Sequence, residues 1–325
     1  MAKDKKKAKA KAKARAKDTQ TKLSNEHVFY AFDPSIEPAI TIAQGEELTL
    51  ETMDCFGNQI ACEADSVDAL DWSRINPATG PVFIEGVKAG DIVRITLLKV
   101  EPTGHSTITC IPGEGALKAF ITQSETTVLE HKGKDVVLAT EKGTLKIPAK
   151  PMIGVIGLAP EKGSVATGTP GSHGGNMDCT RIGAGATLYF KAGVDGGLFG
   201  CGDLHSVMGD GEVLVAGAET PGLVTMKAEV VDEPKLPTPF LVDGEVYAVI
   251  GSAKSLDEAT QLVIDLMYQF LTEVVGLSTN DTGRLMSLVG NLKYCQVVDP
   301  EVTVRFEFPK WVLKDLGFKG IGKSA

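Results

Sequence analysis

The chain has 325 residues, 43% of them apolar and 6% aromatic, with 36 glycines and a formal net charge of −9. This length allows a large core, and so much glycine favours many turns between short strands over a helical bundle. The longest mostly apolar run, Pro151 to Pro160, is far short of the ~18 residues of a spanning helix. No basic start leads into an apolar leader either, so a cytoplasmic protein is expected.

Residues 1–18 hold eight Lys, one Arg and two Asp, a charge of +7 that leaves −16 for the remainder. Crowded like charges with only alanine between them predict a disordered basic tail over residues 1–22. Nucleic acid is a conceivable partner only through this tail.

Residues 23–150 read as an antiparallel β domain. Ala39 to Ile42 leads to Gly45, Leu48 to Thr52 alternates towards Asp54, and Gly90 releases the period-two run from Asp91 to Leu97. Short strands are expected around the turn Pro112-Gly113-Glu114-Gly115, and further hairpins from Ile121 to Lys150. Residues 151–232 continue the β pattern, with Gly185 to Phe190 as another strand, and should pack on the first domain. Pro234, Pro237 and Pro239 then mark the connection to an α+β unit over 233–325. In that unit Val246 to Gly251 is a strand, and Ser255-Leu256-Asp257-Glu258 starts a helix as a capping box. Leu262, Leu266, Phe270 and Val274 should supply that helix's buried face. A second helix runs from about Thr279 to Gly290, and Val302 to Phe308 closes the chain as a strand. The fold class is mainly β, a jelly-roll or sandwich-like and barrel-like core with a smaller C-terminal α+β unit.

The six cysteines, Cys55, Cys62, Cys110, Cys179, Cys201 and Cys295, include no C-x-x-C pair. Reduced thiols, mostly packed in the interior, are expected, and cysteine-only zinc sites are not.

Two motifs concentrate the polar chemistry. Ser172 to Asp178 is glycine-rich and irregular; Gly202 to Glu212 adds a second histidine and three carboxylates to Asp178. Leu198 to His205 reads as a strand, so Asp203 and His205, two apart, share a face. If Gly209-Asp210-Gly211 closes a hairpin of two loop residues into Val213 to Val215, Glu212 lies on that face as well. An imidazole and two carboxylates on one surface can hold a divalent metal or act as base and acid around an attacking water. In the first motif Gly174 and Gly175 let the chain bend into the site, where Asn176 and Asp178 either face it or merely close an Asx turn. The backbone N–H groups near Gly174 and Gly175 are candidate oxyanion donors. Cys201 and His205 are too far apart along a strand to form a nucleophile–base pair. His105, Glu114 and Asp54 are weaker candidates, each as easily a loop or turn residue.

Gly168 to Asp178 and Gly202 to Glu212, supported by Pro151 to Pro160, Ile111 to Leu117 and Gly80 to Gly86, resemble the acetamidase/formamidase family. The likeness runs in order from about His27 to Phe308, and this chain departs in carrying Cys179 and Cys201 beside the motifs. The resemblance implies a mainly β fold, a homo-oligomer, and hydrolysis of a short amide such as formamide or acetamide to carboxylate and ammonia. It also implies zinc, with ligands drawn from Asp178, Asp203, His205 and Glu212. The working assignment makes Asp178, His205 and Glu212 the metal ligands and Asp203, Glu212 and His173 the catalytic groups. Gly174, Gly175, Asn176 and Glu114 are assigned to the substrate. The competing expectation is a noncatalytic small-ligand or metal-binding β protein of the same fold.

Overall fold

The computed structural model describes residues 21–322, so the basic tail lies almost wholly outside the described residues. Two large open sheets face each other, and Ala31–Phe32 and Val165–Ala166 form a separate two-stranded ribbon; neither large sheet closes into a barrel. The first orders its strands as Thr21–Leu23, Leu48–Thr52, Gly222–Val231, Ile92–Pro102, Thr187–Lys191, Phe240–Val242, Val246–Ala253, Val302–Pro309 and Asn291–Gln296. The second runs from the meander Glu125–Lys132, Asp135–Thr140 and Gly143–Pro148 through Ser106–Cys110, Glu219–Thr220, Phe199–His205 and Met152–Gly157 to Gly174–Asn176. Ala78–Ile84 also pairs with Phe199–His205.

Alternation explains the layering. Leu50, Ile95, Leu188, Phe190 and Val224 from the first sheet share one core with Val82, Ile84, Ile153, Ile156, Phe199 and Leu204 from the second. Burying such side chains contributes about 1.5–3 kcal/mol each, which holds the two sheets face to face. Hydrogen-bonded pairing crosses the expected boundaries: Glu219 pairs with Thr107, and Thr187–Tyr189 pairs with Phe240–Val242. The β core is thus continuous across positions 150 and 232.

Helices cover the far half of the first sheet. Ser255 caps Leu256–Gln269 by accepting from the Glu258 N–H at 3.2 Å. The buried stripe of that helix is Ala259, Val263 and Met267, continuing to Phe270. Leu262, expected inside, is 37% exposed, because the sheet meets the helix one position round from the predicted face. A second helix, Thr279–Val289, is capped by Ser278. Among the described residues no helix is long and apolar enough to cross a membrane. All six cysteines are free; Cys55, Cys179, Cys201 and Cys295 are buried, whereas Cys62 is exposed.

Candidate metal and catalytic centre

The strand Phe199–His205 is buried along its whole length. Asp203 leaves the ordinary β region, with φ of 54°. Its neighbours pair in register, Val155 with Gly202 and Ile153 with Leu204, so Asp203 stands across from Gly154. A Cβ at Gly154 would run into the Asp178 and Asp203 carboxylates and lie 3.0 Å from Asn176 Oδ1. Only glycine leaves this floor open to three converging side chains.

The expected hairpin at Gly209-Asp210-Gly211 does not form. Residues 206–218 make a long loop without a strand, and His205 pairs instead with Glu219. Glu212 nonetheless arrives at the site, with φ of 46°. The loop is tied down next to it by a bridge from Gly211 to Gln296 and by the Asp210 carboxylate, which takes two hydrogen bonds from Arg305 at 2.9 and 2.6 Å. The parity argument therefore brought Glu212 to the right place through a turn that is absent.

The His205 ring is the hub. Its Nδ1 lies 3.2 Å from Met208 Sδ, and its Nε2 lies 3.1 Å from Glu219, 3.4 Å from Asp203, 3.7 Å from Asp178 and 4.0 Å from Glu212. All five side chains are at least nine-tenths buried. Burial alone would lower the imidazole's pKa, but Glu219 and Asp203 outweigh it and hold the ring well above its usual range. Burial, reinforced by mutual repulsion, raises Asp178 and Glu212 well above the ordinary carboxylate range and Glu219 to about 7.

The residues assigned from sequence separate here. Asp178, Asp203, His205 and Glu212 come together. Asn176 joins them, its Nδ2 donating to Asp299 at 3.0 Å while its Oδ1 has no partner. Gly174 and Gly175, with φ of 105° and 83°, let residues 169–176 press against the strand Met152–Gly157, where added Cβ atoms would meet backbone. The Gly174 N–H is already given to the Gly171 carbonyl at 3.1 Å, which removes it as an oxyanion donor. His173 packs edge-on against Phe32 with ring centroids 5.2 Å apart, and burial pushes its pKa down to about 4. It makes no hydrogen bond or ion pair to the cluster. Glu114 is exposed on its turn. Cys201 is core, its thiol pushed up to about 12 by burial.

Glu219, Asp54 and Asp299 carried no functional assignment or only a weak one. Asp54 closes its turn by accepting from the Asn58 N–H at 2.7 Å and also stands beside the cluster, burial raising it to about 6 with a contribution from Asp203. A signal existed for Glu219, which ends the motif-bearing stretch just before Pro221; nothing local pointed to Asp299.

Metal binding suits this donor set. Asp178, His205 and Glu212 each offer a ligand atom, all within 4.8 Å of one another. Both Asp178 oxygens, Asp203 Oδ1, Glu219 Oε2 and His205 Nε2 are buried without a hydrogen-bond partner. Orphaned oxygens and an imidazole nitrogen at this density are costly unless a cation compensates them. Beside them a cavity of 490 Å³ is lined by Leu129, Val136, Leu138, Val207 and Met208, and Glu212 forms part of its wall.

The acetamidase/formamidase family model matches residues 16–166 and 161–288. A structure described as a predicted acetamidase/formamidase from Thermoanaerobacter tengcongensis is 43% identical with a TM-score of 0.88, covering 92% of this chain and 99% of that one. An acetamidase structure from Bacillus halodurans is 38% identical, also with a TM-score of 0.88, covering 91% of this chain and 100% of that one. The formamidase of Methylophilus methylotrophus is 24% identical over 62% of this chain and 63% of its own length. The chain spans less than two thirds of the curated relatives it matches.

Proposed function

Because the chain belongs to the acetamidase/formamidase family, we propose that its buried carboxylate–imidazole cluster hydrolyses the C–N bond of short aliphatic amides, releasing carboxylate and ammonia. The observation that carries this reading is the convergence of Asp178, Asp203, Glu212 and Glu219 on His205 Nε2, with several of their oxygens left unpartnered. Such a set can hold a cation and still retain a carboxylate for proton transfer.

Asp178, His205 and Glu212 would hold a divalent ion, zinc by the nitrogen and oxygen character of the set. When bound, that ion supplies Lewis-acid polarisation of the carbonyl and acidification of water. The chain does the rest. Glu219, held by the Gly217 N–H at 2.7 Å, places a further carboxylate 3.1 Å from His205 Nε2, beside the position the ion would take. Asp203 lies on the open floor above Gly154 and takes the proton from the attacking water, then returns it to the departing nitrogen. The amide would enter from the open, mainly apolar 490 Å³ pocket whose wall includes Glu212.

Ammonia release from formamide and acetamide, measured with and without chelator, tests the scheme. Turnover that is lost on chelation and restored by zinc is expected. Chelator-insensitive turnover would remove the ion, and failure on every short amide would leave a noncatalytic metal-binding protein.

A further inference from the structure

We propose that a cleft on the outer face of the first sheet binds a nucleoside monophosphate, its base stacked on Trp311 and its phosphate held by Lys310, Lys314 and Lys319. Strand parity builds the floor. Arg94 pairs with Tyr189, Tyr189 with Phe240, and Val242 with Tyr247. These side chains therefore stand on the face opposite Leu188, Leu241 and Ala248, which enter the core shared by the two sheets.

The chain beyond Pro309 forms the wall. The helix Lys310–Asp315 buries Val312 and Leu313, which turns Lys310, Trp311 and Lys314 to its other side. It ends in a Schellman turn: the Gly317 N–H donates to the Lys314 carbonyl at 3.0 Å and the Phe318 N–H to the Leu313 carbonyl at 2.9 Å. Phe318 then packs edge-on against Tyr247 and Phe270, with ring centroids 5.8 and 6.0 Å apart, and brings Lys319 back over the sheet. The cleft so formed has a volume of 570 Å³, within the ~300–1,000 Å³ of small-ligand sites.

Charge selects an anion. Arg94, Lys310, Lys314 and Lys319 line the cleft, and among the described residues no Asp or Glu does, although residues 19–325 carry a net charge of −16. Arg94 is matched by Glu229 at 2.6 Å. Among the described residues Lys314 and Lys319 have no carboxylate partner. Lys310 Nζ gives one hydrogen bond, to the Asp243 carbonyl at 2.8 Å, and lies 5.8 Å from the centroid of the Tyr247 ring. Three ammonium groups with spare donors around one cleft suit a phosphate dianion. The absence of a lining carboxylate to share a magnesium ion favours a monophosphate over a metal-bound triphosphate. Trp311 supplies the other half of the contact. It is 60% exposed between cations on a helix anchored by its opposite side, so an indole face is open to a planar base.

Calorimetric titration of the full chain with AMP tests the site. One equivalent should bind per chain, at least about tenfold tighter than adenosine or inorganic phosphate, each of which lacks half of the contact. Lys314→Gln combined with Lys319→Gln, and separately Trp311→Leu, should each weaken AMP by about tenfold or more. All three positions are exposed; should either variant fail to fold by circular dichroism, the ligand comparison on the wild type decides. No heat with AMP at millimolar concentration, or adenosine or phosphate bound as tightly as AMP, would overturn the proposal. So would AMP binding that survives the lysine substitutions, which would assign it to other cations such as the basic run of residues 1–18.

Discussion

Gly154→Ala puts the smallest possible object into the centre of the site. The backbone at 154 does not require glycine, since its φ is not among the positive values. On an unobstructed helix the same exchange stabilises by about 0.4–1 kcal/mol. Here the new methyl would collide with the Asp178 and Asp203 carboxylates and press on Asn176 Oδ1. Overpacking of this kind costs about 1–3 kcal/mol, so the net destabilisation should be ~1–2 kcal/mol. The larger effect is on function. Relieving the clash moves both carboxylates by about 1 Å, and a misplacement of that size costs about 10²-fold in rate. The assay pairs kcat/KM for ammonia release with zinc affinity and thermal unfolding. Gly283→Ala, on the helix Thr279–Val289 where nothing lies within 4 Å of the added methyl, is the matched control and should gain stability without changing rate. Unaltered zinc affinity and kcat/KM in Gly154→Ala would refute the open-floor argument.

Glu219→Gln removes a buried carboxylate 3.1 Å from His205 Nε2 and should lower kcat/KM by about 10²-fold, with circular dichroism unchanged; a loss under threefold would make Glu219 a bystander. Cys201→Ser should retain kcat within a few-fold while losing about 1–3 kcal/mol of stability from the buried hydroxyl, so abolished turnover in folded protein would restore the cysteine as a nucleophile. In the Arg181 network, burial works to raise Glu307 and Asp243, yet their hydrogen bonds and paired arginines outweigh it and hold both below their ordinary values. Depressed carboxylates contribute stability above their unfolded pKa of about 4 that is lost as pH falls through the lower folded values. Arg181→Met should therefore cost about 3 kcal/mol near pH 7, with the gap to wild type closing below about pH 4; a pH-independent gap would show that packing, not charge, is what Arg181 supplies.

What could be read before folding depended on range. Alternation placed Asp203 and His205 on one face, because strand parity is a local property. The Ser255 cap and the strands around Leu50 and Ile95 were legible for the same reason. Glu212 lies near His205 without the expected hairpin: Arg305, far along the chain, anchors Asp210 beside it. Glu219 was missed because a loop of 13 residues, 206–218, hides its pairing with His205. Gly174 was read as opening a ligand site, whereas it relieves a backbone contact with Ile156 and Gly157. The placement of Asp299 arises only from sheet assembly, for which no short pattern in the chain is diagnostic. The basic tail, expected to be disordered, lies almost wholly outside the described residues.

The continuity of the two sheets across positions 150 and 232 governs how this centre comes into being. Its polar side chains are drawn from positions 54, 176, 178, 203, 205, 212, 219 and 299, so the complete set exists only once segments far apart in the chain have come together. Contacts of such long sequence separation close late and slowly. The proposed cation, bound only by the finished cluster, would stabilise the native state by mass action and would make metal supply during synthesis a determinant of yield.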